Sequence, residues 1–146
     1  MKNVFPTTGL KRYRFPTHTN DLVFDRSEAK CSEAFLVVLE PGEAPPLHVH
    51  DDTEQVFYVI EGTGTLTVGK VGKQKKSRVK PGDVVLIPPS TPHSIKSDKK
   101  GLRYLSVDCF GTAERKEPTW DEHVKANCRL YGWDYNQVVG RKKTRK

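Results

Sequence analysis

Between Pro41 and Gly62 the chain reads Pro41-Gly42-Glu43-Ala44-Pro45-Pro46-Leu47-His48-Val49-His50-Asp51-Asp52-Thr53-Glu54-Gln55-Val56-Phe57-Tyr58-Val59-Ile60-Glu61-Gly62. Its first half is stiffened by three prolines and a glycine, and its second half is a short apolar run rich in β-formers. His48 and His50 stand two apart. In an extended strand such residues share a face, with Cα atoms about 6.6 Å apart. Two imidazoles at that spacing can converge on one metal ion.

Working outward, similar short runs recur. Phe35 to Glu40 ends at Pro41-Gly42, and Val56 to Ile60 ends at Glu61-Gly62-Thr63-Gly64. Thr65-Leu66-Thr67-Val68 alternates up to Gly69, Val84 to Ile87 lies between Pro81-Gly82-Asp83 and Pro88-Pro89, and Leu102 to Phe110 follows Gly101. Brief runs separated by Gly and Pro predict an all-β sandwich or small barrel and not βαβ units. The exception is Thr119-Trp120-Asp121-Glu122, which suits a capping box. Trp120, Val124, Cys128 and Tyr131 follow at helical spacing, and Gly132 can close the helix. This predicts one amphipathic helix packed on the outside of the β-unit, with Trp133 and Tyr135 continuing its packing.

Two stretches together carry a family resemblance. Gly42, His48-x-His50, the Glu54-Gln55 pair and Gly62 are similar to the first cupin motif. Gly82-Asp83-Val84-Val85-Leu86-Ile87-Pro88-Pro89-Ser90-Thr91-Pro92-His93 resembles the second, with Ser90 where glycine is usual and Ser97 where asparagine is common. The resemblance covers about residues 33–110 and implies a double-stranded β-helix, a jelly-roll barrel holding a metal and a small ligand inside. It makes His93 the third metal histidine. Three neutral imidazoles leave coordination positions open for water or substrate.

The fourth ligand departs from the family. Its usual glutamate is followed by six residues and a glycine, and counting back from Gly62 puts Gln55 there. Parity agrees, because Gln55 is in phase with Phe57 and Val59, while Glu54 points with Val56 and Tyr58. A bulge before the strand would instead rotate Glu54 inward. A Gln leaves the ion its full charge, which strengthens a Lewis acid, attracts anionic ligands and favours ferrous over ferric iron. Three His and a Gln also resemble the ligand set of small cupins that linearise unsaturated uronates.

Along 102–110, Tyr104, Ser106 and Asp108 share one face, opposite Arg103, Leu105, Val107 and Cys109. Facing inward, Tyr104 and Asp108 are the candidate catalytic residues, able to orient substrate or move protons; facing outward, they meet water. Cys109 reads as a structural thiol. His18 reads as a solvated residue of the lead-in, His123 as a helix-surface one, and Asp51 and Asp52 as loop-solvating acids.

The expected function is a metal-dependent small-molecule enzyme of isomerase, lyase or hydration type, acting on a carboxylated, anionic substrate. The cofactor is one divalent ion (Zn, Fe, Ni or Mn). A ferrous dioxygenase and a non-catalytic small-ligand binding or sensing module are the alternatives, because the barrel hosts all three. The resemblance also implies a homodimer through sheet faces. The apolar row Val56, Tyr58 and Ile60 would lie in that interface, or else against the chain's own helix.

The chain has 146 residues, 35% of them hydrophobic, enough for one core. The longest apolar run, Ala34 to Leu39, is far below the roughly 20 residues that cross a bilayer. The N-terminus shows no apolar signal region. Cys31, Cys109 and Cys128 form neither a disulfide framework nor a zinc knuckle, which suits a cytoplasmic protein. Of the net charge of +7, five positive charges belong to Arg141-Lys142-Lys143-Thr144-Arg145-Lys146, and without them 20 basic side chains meet 18 acidic ones. A second basic cluster, Lys70 to Lys80, has no aromatic residue for base stacking, so the composition argues against nucleic acid. The expected organisation is an extended lead-in and first strand at 1–32, a barrel at 33–110, a helical segment at 111–136, and a disordered basic tail at 137–146 that is dispensable for the chemistry.

Overall fold

Seven antiparallel strands wrap into the expected jelly-roll barrel, with helix on one side only. The structure, a computed structural model, describes residues 2–141; the rest of the basic tail lies outside the described residues. The strands are β1 (Lys11–Arg14), β2 (Thr19–Phe24), β3 (Ser32–Leu39), β4 (Glu54–Val68), β5 (Lys75–Val79), β6 (Val84–Ile87) and β7 (His93–Cys109). They are followed by α1 (Trp120–Tyr131) and the single turn α2 (Tyr135–Val138). Sheet order is β1-β2-β3-β7-β4-β5, with β6 on β4.

The lead-in contributes more than one extended segment. Lys11–Arg14 and Thr19–Phe24 form a hairpin whose second strand pairs with β3, so the N-terminus widens the sheet. The Glu61–Gly64 break expected between two runs is instead a bend inside β4, where register shifts at Val59/Glu61 and Gly62/Gly64. Gly62 has φ +80°, and a Cβ there would run into the Gly101 carbonyl oxygen. The chain can therefore turn from one sheet to the other while staying paired with β7.

Strand parity sorts the side chains. Three cross-strand rows point inward: Tyr13–Asn20–Val37–Tyr104–Val59, Phe35–Ser106–Phe57–Val85, and Glu33–Asp108–Gln55–Ile87. Every member is buried. The alternate residues face out, and Tyr58, Val84 and Leu86 are 49%, 65% and 59% exposed. The row Val56–Tyr58–Ile60 therefore does not lie against the chain's own helix.

Helix α1 starts and stops as its sequence predicts. Thr119 Oγ1 accepts from the Glu122 N–H, and Gly132 ends it at φ +70°. Its position corrects the expectation: α1 forms a wall of the barrel cavity and does not lie on the barrel's outer surface. Trp120 sits against Phe35 and Tyr13, with ring centroids 4.7 and 5.9 Å away. The inner face of the β1–β2–β3 end is apolar and open, and a helix bearing Trp120, Val124 and Cys128 covers it.

Candidate metal centre

His48 and His93 are brought together by their own backbones. Each donates its N–H to the other's carbonyl, at 3.1 and 2.9 Å, in a bridge between the Pro-rich segment and the start of β7. Ser90, at the glycine position of the second motif, takes φ +58° in the turn before His93. Its N–H donates to His50 O at 2.7 Å and its hydroxyl to Asp51 at 2.9 Å. These bonds hold a conformation that L-residues otherwise avoid. One ligand atom from each of His48, His50 and His93 lies within 4.8 Å of the others.

The rings are already in the state a metal needs. His48 Nδ1 lies 2.7 Å from Pro46 O, and His93 Nδ1 lies 2.8 Å from Thr91 O. A carbonyl only accepts, so each Nδ1 carries the hydrogen and each Nε2 keeps a lone pair. Burial, the largest influence on all three rings, pushes His48 down, His50 well down and His93 down to about 4. They are neutral near pH 7, as metal binding requires.

Gln55 and not Glu54 faces this cluster. Glu54 is exposed, whereas Gln55 is 4% exposed and puts Oε1 2.8 Å from His93 Nε2. Its Nε2 donates to Asp108 Oδ1 at 2.7 Å, which fixes the amide with its oxygen toward the histidines. Behind Asp108 lies Glu33, gripped by two N–H groups of the buried Arg26. Burial, then Asp108, pushes Glu33 up to about 8, and burial pushes Asp108 up to about 6. The two carboxyls are cross-strand partners on β3 and β7, Glu33 held by Arg26 and Asp108 by the Gln55 amide.

The polar face of β7 turns inward, which settles the two orientations left open by parity. Tyr104 lines the cavity, its ring 4.7 Å from Phe57, and burial raises its phenol, so it remains a proton donor. The cavity is about 430 Å³, a small-ligand volume.

Two histidines were misjudged by sequence reasoning. His18 is not solvated: it stacks on Phe15 at 4.6 Å and lines the cavity, and burial drives it down to about 3. His123 lies on the cavity face of α1, its ring 6.1 Å from His50, between Glu117 Oε2 at 3.4 Å and Asn127 Nδ2 at 3.3 Å. The helical period offered a signal, since Trp120, His123, Asn127 and Leu130 all line the cavity. Asn20 and Trp133 also line it, and the reading of the first residues as a lead-in hid Asn20.

A double-stranded β-helix with three converging neutral histidines defines a class of barrel proteins that can hold an ion and a small ligand. The Cupin domain family matches residues 35–108, and the chain belongs to that family. An uncharacterised protein of Methanocaldococcus jannaschii, MJ1618, is 37% identical over 60 residues, covering 41% of this chain and 45% of the relative. A 3-hydroxyanthranilate 3,4-dioxygenase of Burkholderia cenocepacia is 32% identical over 88 residues, 60% of this chain and 48% of the relative. The chain thus spans less than half the length of these relatives. Among solved structures, KdgF from a Halomonas species matches with TM-score 0.64 and 18% identity, over 75% of this chain and 95% of that one. A Thermotoga maritima protein described as a predicted oxalate decarboxylase matches with TM-score 0.64 and 20% identity, over 75% and 100%. At these identities the structures speak for the fold.

Proposed function

We propose that the protein is a metal-dependent small-molecule enzyme of isomerase, lyase or hydration type, with one divalent ion held by His48, His50, His93 and Gln55. One contact carries the reading. His93 Nε2 and Gln55 Oε1 are both acceptors, yet they face each other at 2.8 Å. Two lone pairs at that distance repel, and a cation between them turns the repulsion into coordination. The separation also suits ligands each about 2.0–2.2 Å from one ion. When bound, the ion supplies Lewis-acid polarisation of a carboxylate or carbonyl oxygen.

The chain's own groups do the rest. Asp108 holds the Gln55 amide, making it a positioning residue, and Tyr104 offers a hydroxyl proton to a bound ligand. A donor set of three imidazoles and an amide leaves the site cationic, which favours a carboxylated substrate. The oxygen-using alternative is favoured by the dioxygenase name of one relative. Elemental analysis and native mass spectrometry of purified protein test the reading. We expect about one divalent ion per chain, and protein free of metal after equilibration with zinc, iron, nickel and manganese would refute it. Oxygen uptake by iron-loaded protein would decide for the dioxygenase. The same reading includes a homodimer through the outer face of Val56, Tyr58, Val84 and Leu86, since such an apolar face is unusual in water. Light scattering at 16.5 kDa instead of twice that mass would reject it.

A further inference from the structure

The cavity has a second polar end, built from β2 and α1, which lie outside the cupin match, and from Ser106 on β7, which lies inside it. Asn20 on β2, Ser106 on β7 and Trp120 at the start of α1 all line it and are 6%, 0% and 2% exposed. Among the described residues, Asn20 Oδ1, Ser106 Oγ and Trp120 Nε1 have no hydrogen-bond partner. Leaving such groups unmet costs about 1–3 kcal/mol each. All three are placed about Phe35 and Val37 of β3. Ser106 is the cross-strand partner of Phe35, Asn20 is the partner of Val37 two residues further along, and the Trp120 ring packs on Phe35.

We infer that Asn20, Ser106 and Trp120 form a hydroxyl-binding subsite, and that the ligand is a ring-shaped hydroxy acid, its carboxylate toward the histidines and its hydroxyl in this subsite. The donor count selects the group. Asn20 Oδ1 only accepts, the indole N–H only donates, and the serine hydroxyl does either. A ligand hydroxyl can donate to Asn20 while accepting from Trp120. A carbonyl would leave Asn20 unmet, and an ammonium would leave the indole N–H unmet. The charged lining groups Asp51, Asp52, Asp108, Lys116 and Glu117 lie toward the histidine end: beside His50, against Gln55, or bonded to Asp51, Asp52 and His123. The subsite itself is neutral. Phe35, Phe57 and Tyr104 supply flat apolar walls between the ends. Ser106 is one inward step beyond Asp108 on β7, about 6.8 Å along the strand, and Val37, the partner of Asn20, lies a further step along on β3. That separation suits a six-membered ring substituted at both ends.

The carboxylate end rests on the proposed metal site, and the hydroxyl end does not. Two experiments separate them. In chelator-treated protein, ¹H–¹⁵N spectra follow the indole N–H of Trp120, assigned with Trp133→Phe, during titration with phenol or toluene. Phenol should move that resonance downfield and toluene should not; equal shifts, or none with phenol, would overturn the subsite whatever becomes of the metal. In zinc-loaded protein, calorimetry compares 4-hydroxybenzoate with benzoate. The hydroxyl should tighten binding about tenfold, and Trp120→Phe or Ser106→Ala should bring the ratio close to one. Equal affinities in the parent protein would refute the hydroxyl subsite. If neither acid binds while phenol still selects, the metal reading and the carboxylate assignment fail and the subsite stands. Ser106→Ala deletes one oxygen and keeps the packing, so a Trp120 variant that fails to fold does not remove the test.

Discussion

The two ends of the cavity are built on different plans. The histidine end comes from residues 48–93, within the stretch that matches the family, and its polar atoms converge at the spacing of metal ligands. The far end comes from β2, α1 and the following turn together with Ser106 on β7, and its polar atoms are unmet singly. A barrel of this kind can therefore keep one ion-binding end while flanking segments set what fits beside it. A buried ion pair joins the two parts. Arg26, just after β2, reaches Glu33 on β3 and also donates to Glu117 O at 3.1 Å ahead of α1.

The comparison predicts effects of descending size. The double variant His48→Ala/His50→Ala should lose stoichiometric metal completely, read by elemental analysis, while retention would remove the distinction between the ends. Chelation of the parent protein should correspondingly lower Tm by on the order of 10 °C. Arg26→Ala strands a buried carboxyl and should cost about 3–5 kcal/mol in urea unfolding. A loss below about 1 kcal/mol would mean that the flanks and barrel are not joined there.

Asp108→Asn should weaken metal binding by about 10–100-fold, since an amide there no longer fixes which way Gln55 points. Gln55→Glu, by contrast, should bind metal at least as well because a carboxylate is the stronger donor to a hard cation. Unchanged metal affinity in a Gln55→Ala variant would show that Gln55 is not a ligand.

The smallest effect concerns His18. Its folded value, about 3, lies below the ordinary 6.5, so the unfolded chain binds the extra proton between these values. The stability it contributes is complete above about pH 6.5 and is lost as pH falls toward 3. The slope should be at most about 1.4 kcal/mol per pH unit, reduced by the ring's partial exposure. His18→Phe should flatten the acid limb of a stability–pH curve relative to the parent, and an unchanged limb would show that the ring is solvated after all.

Much of the barrel was legible because its information is local. Period-two alternation between Gly and Pro marks the strands, the fixed spacing of His48, His50 and Gly62 places Gln55 in phase with the inward face, and Thr119 and Gly132 bracket α1. These features depend on backbone geometry that each segment carries with it. Other facts depended on what lies across the cavity. Alternation along 102–110 defines two faces, but only the closure of β3, β4 and α1 makes the polar one the interior. A helical stripe shows that α1 covers something apolar, and only its packing on Phe35 and Tyr13 makes that surface the inside of the barrel. His18 and His123 look like surface residues in sequence because burial is conferred by residues far along the chain.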